Sequence, residues 1–256
     1  MLVCRFGPEG FHAAGESFGA MRLLYSDPLA TPPSAWSFGR PIDLSAEAIR
    51  PPVEPGKIVG IGRSYVEHAR ELDNPAPAEP VIFLKSPGSL LGTGSPIVLP
   101  PESERVEYEG EIAVVVRHRL TRASAGDARR GVLGVTCAND VTARDLQRRD
   151  PTFCRAKSFD SFCPLGPAIL VEPDLAALEV VTRVDGEERQ HAHVRQMSWG
   201  IVDLVVYVSR MMTLEPGDVI LTGTPAGVGP LADGDVVEVE IPGLGVLRNP
   251  VEAWRR

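Results

Sequence analysis

Three glutamates at alternate positions are the strongest chemical feature of the sequence. Glu107, Glu109 and Glu111 stand at the start of the apolar, β-branched run at residues 112–116. Side chains in a strand alternate between its two faces, so the three acids are predicted to project from one face. Carboxylates held that close repel one another, and a divalent cation would cancel the repulsion. Oxygen-only ligands favour Mg²⁺, Mn²⁺ or Ca²⁺ over zinc.

A further carboxylate could come from Asp140, which follows the strand-like residues 131–138. Polar residues at strand ends are common places for sites, because a rigid scaffold holds them. Arg144 and Gln147 share a helical face just beyond and could present a cation and an amide to a substrate. The alternatives are a solvated strand edge for the glutamates, a turn or capping aspartate for Asp140, and exposed helix positions for the other two.

The second chemical feature is a histidine–carboxylate pair, His68 and Glu71, at helical spacing. Ser64 followed by Glu67 predicts a capping box that starts a short helix. A neutral imidazole beside a carboxylate can hold a water molecule and take its proton near neutral pH. The alternative is an ordinary surface pair. The proline-rich residues 74–80 could let this helix move as a lid.

Lys157 stands among aromatic residues and cysteines, so it is either a snorkelling surface residue or a buried cation that nearby acids stabilise. The glycine-rich residues 222–229 lack a nucleotide-binding Gly-Lys ending, but their N–H groups and the Thr224 hydroxyl could cradle a carboxylate. A simple glycine turn is the alternative. His191 and His193 have the spacing of a metal-binding pair, but no third ligand follows, which favours a polar loop.

The remaining pattern predicts a mainly β chain. Residues 1–55 indicate a small β attachment with strands at 2–6 and 21–25 and loops elsewhere. Asp185 and Gly186 predict a hairpin turn, and the apolar spacing at 201–212 predicts a core helix. Residues 234–241 alternate as an edge strand would, with acids on the open face.

The composition and net charge limit which classes of protein this chain can belong to. The 256 residues are 43% hydrophobic with a net charge of -8, which argues against nucleic-acid and anionic-membrane partners. No apolar run approaches the roughly 20 residues of a membrane span, and the first residues do not resemble a signal peptide. Four cysteines without CxxC spacing predict reduced thiols in a cytoplasmic protein.

Taken together, the motifs resemble the fumarylacetoacetate hydrolase family in the family's order over about residues 57–251. The matching blocks are Gly-Arg-Ser-Tyr at 62–65 with His68 and Glu71, Phe-Leu-Lys at 83–85, Tyr-Glu-Gly-Glu at 108–111, Asn-Asp-Val-Thr-Ala-Arg-Asp-Leu-Gln at 139–147, Arg-Ala-Lys-Ser-Phe-Asp at 155–160 and Leu-Thr-Gly-Thr-Pro-Ala-Gly-Val-Gly at 221–229. Six blocks are far more specific than one. The resemblance implies an α+β, mainly β fold: a small N-terminal β domain at 1–55, a catalytic mixed β-roll at 56–256, and usually a homodimer.

The same resemblance implies roles for individual residues. It makes Glu109, Glu111 and Asp140 the ligands of a catalytic Mg²⁺ or Mn²⁺, with Ca²⁺ possible in a crystal, and leaves Glu107 outside that set. It implies that a mobile lid carries a water-activating pair and that two further residues steady the substrate's oxygens. Those four catalytic residues are His68, Glu71, Lys157 and Gln147, and the predicted substrate-binding residues are Arg63, Tyr65, Arg144 and Thr224.

These roles predict a hydrolase that cleaves a C–C bond in an acylpyruvate-like 2,4-dioxo acid. One alternative is a decarboxylase or isomerase of 2-oxo or 2-hydroxy-diene dicarboxylates in aromatic-acid breakdown, including an oxaloacetate decarboxylase. Another is a non-catalytic carboxylate-binding protein, although binding alone needs no base. The sequence departs from the family's usual residues at Ser64 and at 189–199, where two histidines and an arginine leave the substrate open.

Overall fold

A computed structural model describes residues 1–45, 47–71 and 77–255. The strands are β1 (Leu2–Phe6), β2 (Phe11–Gly15), β3 (Arg22–Leu24), β4 (Phe38–Pro41), β5 (Ile49–Arg50), β6 (Ile58–Gly62), β7 (Val81–Lys85), β8 (Leu90–Leu91), β9 (Ile97–Leu99), β10 (Val106–Tyr108), β11 (Gly110–Val116), β12 (Val132–Asn139), β13 (Thr142–Ala143), β14 (Cys163–Val171), β15 (Glu179–Val184), β16 (Glu187–His193), β17 (Val219–Leu221), β18 (Gly229–Pro230), β19 (Val236–Ile241) and β20 (Gly245–Ala253). The helices are α1 (Val66–Glu71), α2 (Ala125–Gly131), α3 (Arg144–Gln147), α4 (Cys154–Lys157) and α5 (Ile201–Met211). Residues 74–76 of the predicted lid lie outside the described ranges.

The protein is mainly β with mixed sheets, which confirms the predicted fold class. A twelve-stranded sheet runs in the order β4-β3-β2-β1-β14-β12-β11-β17-β6-β7, with β5 beside β1 and β8 beside β14. A three-stranded sheet has the order β13-β10-β18, and a five-stranded sheet has the order β16-β15-β19-β20-β9. No helix of the described chain has the length and apolar character that crossing a membrane requires.

The N-terminal strands extend the large sheet. β1 pairs antiparallel with β14, where Leu2 faces Leu170, and β2 and β3 follow outward. The predicted strand at 2–6 is confirmed, whereas β2 lies in a stretch that the glycines and prolines predicted to be loop. Pairing with β1 on one side and β3 on the other, not an apolar run of its own, explains β2. The domain division at residue 55 stays a prediction.

The centre of the large sheet is buried on both faces. Every residue of β11 and β12 is buried, which explains why both read as continuous apolar runs. Ile112 and Val114 pack on one side with α5, while Ala113 and Val115 pack on the other. Each fully buried branched side chain contributes roughly 1.5–3 kcal/mol. This rigid pair of strands is the platform for the polar residues at its ends.

Three smaller predictions have different outcomes. The hairpin turn is confirmed, since Asp185 and Gly186 both have positive φ (52° and 80°) between β15 and β16. The predicted core helix is confirmed as α5. The edge-strand prediction for 234–241 is wrong, because β19 lies between β15 and β20. Its acids do face outward, but they meet arginines on the neighbouring strands: Glu240 with Arg183 and Glu238 with Arg248.

Candidate active site

Glu109, Glu111 and Asp140 form a carboxylate cluster whose oxygens lie within 4.8 Å of one another. The pairing of β11 with β12 brings Glu111 beside Ala138, and the Asp140 N–H donates to the Glu109 carbonyl (2.8 Å). All three acids are at most 4% exposed, so the solvated-edge alternative is wrong. Three carboxylates in one buried, oxygen-only set are the donor type that a hard divalent cation prefers.

Two buried lysines contact this cluster. Lys157 Nζ donates to Glu109 Oε2 (2.8 Å) and Asp140 Oδ2 (2.6 Å), and Lys85 Nζ donates to Asp140 Oδ1 (2.7 Å). Burial alone would lower the pKa of Lys157, but Asp140 and Glu109 outweigh burial and raise it. Lys157 is therefore a buried cation, not a snorkelling surface residue. Lys85 received no role from the sequence, where the signals were a lysine ending an apolar strand and its place in the matching block Phe-Leu-Lys at 83–85.

Glu107 lies outside the carboxylate cluster. It accepts from Arg105 Nε (2.5 Å) and from Arg144 Nε (2.6 Å). The same Arg144 guanidinium donates to Glu109 Oε1 (2.5 Å) and to Gln147 Oε1 (2.6 Å). Arg144 thus fixes two acids and one amide through bonds within the protein, and its predicted substrate contact stays a prediction.

The buried charges of the site do not balance. Four buried carboxylates (Glu107 and the cluster) face three buried cations, Lys85, Arg144 and Lys157. Within the described residues, Glu111 has no ion-pair partner, and its Oε2 accepts from the Gly223 N–H (2.6 Å). Burial, then Asp140 and Glu109, raise the pKa of Glu111 well above its ordinary value. Burial would also raise the pKa of Glu109, but Lys157 and then Arg144 lower it overall. The residues present therefore fit a bound cation beside Glu111.

Gly223 is required where the glycine-rich segment meets the cluster. Its φ is +96°, and a Cβ there would lie 2.0 Å from Ser64 Oγ, so a larger residue would be strained and would clash. The Ser64 hydroxyl donates to the Thr222 carbonyl (2.6 Å), and α1 begins two residues later at Val66. The predicted capping role of Ser64 is therefore wrong, and its hydroxyl instead tethers the segment that donates to Glu111.

His68 and Glu71 lie on α1 with His68 Nδ1 3.2 Å from Glu71 Oε2. His68 is buried, and Glu71 Oε1 accepts from the Gly227 N–H (2.9 Å). The glycine-rich segment therefore fixes the carboxylate, and the carboxylate orients the imidazole. This orientation assigns Nε2 as the ring nitrogen available for proton transfer.

A cavity of about 380 Å³ brings most of the predicted site residues together. We call the carboxylate cluster its floor. The predicted residues that line it are Arg63, His68, Glu71, Glu109, Glu111, Asp140, Arg144, Gln147, Lys157 and Thr224. Its apolar wall is formed by Ile61, Val81, Phe83 and Phe153. One cavity thus combines a carboxylate cluster, buried cations and a histidine–carboxylate pair.

Two predicted substrate-binding residues differ from the rest. Tyr65 is buried and lines a separate cavity of about 230 Å³ instead of the one above the carboxylates. The Thr224 hydroxyl donates to the Gly110 carbonyl (2.9 Å) and accepts from Gln190 Nε2 (2.7 Å). Substrate contact by either residue stays a prediction, and the observed bonds of Thr224 hold the cavity wall to β11.

The two histidines of the 189–199 segment make local contacts. His191 is exposed at the end of β16, with Nε2 3.3 Å from Glu179 Oε2. His193 Nδ1 accepts from the Arg195 N–H (3.0 Å) and caps a short turn at Val194–Gln196. In the ranges that the structure describes, neither belongs to a group of three potential metal ligands. The predicted polar loop is therefore a strand followed by a capped turn.

The unbalanced charge gives a prediction for the metal-free protein. An acid whose pKa is raised in the folded state supports the fold at low pH and costs stability as the pH rises through that pKa. Glu111→Gln should therefore stabilise EDTA-treated protein at pH 8 by about 1 kcal/mol, or roughly 2–4 °C in Tm, and by less at pH 5. Added Mg²⁺ should raise the Tm of the wild type much more than that of the variant. A Tm that falls in the variant at both pH values would contradict the charge assignment.

Comparisons with known proteins give one matching family and several similar proteins of known structure or name. The family described as fumarylacetoacetate (FAA) hydrolase C-terminal matches residues 57–252. A human mitochondrial oxaloacetate tautomerase is 42% identical over 79% of this chain and 68% of its own. The solved structure of a 2-hydroxyhepta-2,4-diene-1,7-dioate isomerase from Mycobacterium marinum superimposes with a TM-score of 0.89 at 39% identity, covering 100% of both chains. A 5-carboxymethyl-2-hydroxymuconate delta-isomerase from Mycobacterium smegmatis gives 0.89 at 37% identity, covering 99% of this chain and 100% of its own.

Proposed function

The chain belongs to the fumarylacetoacetate hydrolase family, and from that premise we propose that it is a divalent-cation-dependent isomerase that moves a proton on a small 2-oxo acid. The observation that carries this proposal is the joint placement of the carboxylate cluster, Lys157 and the His68–Glu71 pair around one cavity. The names of the isomerase and tautomerase relatives support proton transfer.

We propose that Glu109, Glu111 and Asp140 hold the cation, with Mg²⁺ or Mn²⁺ preferred by their oxygen-only chemistry. When bound, the cation supplies Lewis-acid polarisation of the oxo group and compensates the carboxylate charge. Lys85 and Lys157 keep Asp140 aligned from the protein side.

The chain's own cations and amides stabilise the charge that develops on the substrate oxygen. Lys157 is already fixed between two acids, so no reorganisation is needed when negative charge appears nearby. Gln147 accepts from Arg144 through Oε1, which leaves its amide N–H groups to donate to a substrate oxygen. Phe83 covers Lys157, with Nζ 5.0 Å from the ring centroid, and the apolar wall limits water.

The proton transfer falls to His68. Its Nε2 takes the proton from the carbon next to the oxo group, the C–H electron pair becomes a C=C bond, and the carbonyl pair moves onto oxygen. The imidazolium, held by Glu71, then returns the proton to the oxygen or to the far carbon of a conjugated system. In the enol-to-keto direction the steps reverse: His68 takes the hydroxyl proton, the carbonyl forms, and the proton goes to the adjacent carbon or, in a 2-hydroxy-diene, to the far carbon of the conjugated system.

Hydrolysis of an acylpyruvate is the second candidate, and the same histidine–carboxylate pair supports it. His68 would take the proton from water instead of carbon, hydroxide would add to the distal carbonyl, and the C–C bond would break to give a carboxylic acid and the enol of pyruvate. Decarboxylation of a 2-oxo dicarboxylate also forms an enol and shares the same groups. All three reactions use the same site residues, so the substrate decides which reaction occurs.

Direct assays of purified protein with Mg²⁺ test the proposal. We expect accelerated loss of the enol absorbance of oxaloacetate, or isomerisation of 2-hydroxyhepta-2,4-diene-1,7-dioate, and suppression of either by EDTA. Pyruvate release from acetylpyruvate, followed with lactate dehydrogenase, would favour the hydrolase instead, and CO₂ release would favour the decarboxylase. Metal-dependent binding of oxalate without any turnover would support the non-catalytic binder.

We also propose a homodimer in a reducing, cytoplasmic setting. All four cysteines are free and three are buried, as expected where disulfides do not form. Sedimentation analysis tests the homodimer, and a monomer at micromolar concentration would refute it.

A further inference from the structure

The cavity has one arginine that no role above uses. Arg148 lines the cavity, yet it is exposed, in contrast to the buried carboxylates of the floor. Among residues 1–45, 47–71 and 77–255, its side chain makes no ion pair or hydrogen bond of its own. Arg144, one helical turn earlier, is buried and fully engaged with acids and an amide. Arg148 is therefore an uncommitted cation at the solvent side of the cavity.

The backbone around Arg148 is held firmly. Its N–H donates to the Arg144 carbonyl as α3 ends, and Asp150 accepts two bonds from Arg155 (2.7 and 2.8 Å) across the following turn. Phe153, in the same turn, has φ +60°, an uncommon conformation for a bulky residue. Its ring meets Phe83 edge-on at 6.3 Å. The segment that presents Arg148 is thus packed against the apolar wall.

The combination of buried carboxylates, an apolar wall and an exposed cation in one cavity is the argument for a ligand. The floor fits a cation and, with it, the chelating end of a 2-oxo acid. The apolar wall suits a short carbon chain, and Arg148 is an exposed cation among the residues that line the same cavity. A guanidinium offers a planar pair of donors that matches a carboxylate. If the far end of the substrate were neutral, the guanidinium donors would hydrogen-bond to water instead of to a carboxylate.

We propose that Arg148 is a specificity-determining residue that binds the distal carboxylate of a dicarboxylic 2-oxo acid. The inference rests on the proposed function, since it assumes that the other end of the substrate sits at the floor. It assigns Arg148 to selection between substrates and gives it no part in the proton transfer.

The test compares oxaloacetate with its 4-methyl ester, which removes the distal charge and keeps the chain. For the Mg²⁺-loaded wild type we expect a higher kcat/KM on the diacid. Arg148→Gln should lower the ratio of kcat/KM for diacid over ester by roughly tenfold, mainly through KM, and Arg148→Lys should restore part of it. The matched control is Arg149→Gln, an exposed neighbour that faces Asp145 (3.6 Å) and does not line the cavity. Its ratio should stay within about twofold of the wild type.

Calorimetric binding of the same two compounds to the Mg²⁺-loaded proteins separates this inference from the proposed function. A wild type that binds the diacid more tightly than the ester, with the preference lost in Arg148→Gln, would support the role of Arg148 even if the protein turned over neither these compounds nor 2-hydroxyhepta-2,4-diene-1,7-dioate, a result that would refute the function. An equal effect of the substitution on diacid and ester, or no preference in the wild type, would overturn the inference.

Discussion

Asp140→Asn is expected to lower kcat/KM by about a thousandfold or more, equivalent to roughly 4 kcal/mol of transition-state stabilisation. Asp140 contributes one carboxylate to the cluster and accepts from both Lys85 and Lys157. Asparagine keeps the shape but removes the charge, which weakens cation binding and leaves two buried ammonium groups with less compensation. Truncating one partner of a buried charge pair is costly because the other remains buried.

The measurement is activity against Mg²⁺ concentration, with metal binding followed by calorimetry. Asp145→Asn is the matched control, since Asp145 lies on α3 and accepts from the Ser103 hydroxyl (2.6 Å), away from the cavity floor. We expect this control to change activity less than about threefold. Undiminished turnover in the presence of EDTA, in wild type or variant, would refute the metal assignment.

His68→Ala is expected to slow kcat by roughly a hundredfold or more while leaving Mg²⁺ affinity close to that of the wild type. The imidazole is the group positioned for proton transfer, and it is not one of the three groups of the carboxylate cluster. Because Glu71 acts by orienting His68, a His68→Ala/Glu71→Ala double variant should be little slower than His68→Ala alone.

The control for His68 is Glu67→Gln, an exposed position on the same helix that faces the smaller cavity. Its kcat should stay within about threefold of the wild type. Rates in His68→Ala that match the wild type would show that another group carries the proton. Additive losses in the double variant would show that Glu71 acts independently of the histidine.

Local pattern in the sequence predicted much of the architecture. Continuous apolar runs predicted the buried strands around β11 and β12, and Asp185-Gly186 predicted the hairpin. These features follow from side-chain periodicity and turn geometry, which depend on neighbours a few residues apart. Reasoning from local sequence failed for β2 and for the edge assignment of β19. The order of strands in a sheet depends on pairing between segments that are distant in sequence.

For the candidate site, too, the sequence predicted one part and the tertiary structure decided the other. Alternation predicted one face of one strand for Glu107, Glu109 and Glu111, but Glu107 lies in β10 of the three-stranded sheet and Glu111 in β11 of the large sheet. The residue types indicated that hard-cation chemistry was available. Only the tertiary structure decided which acids meet one another and which meet cations. Lys85 reaches Asp140 across 55 residues, and Ser64 reaches Thr222 across 158. Buried polar and charged groups need a partner to offset the loss of water. Here the partners are far apart in sequence, so only folding brings them together.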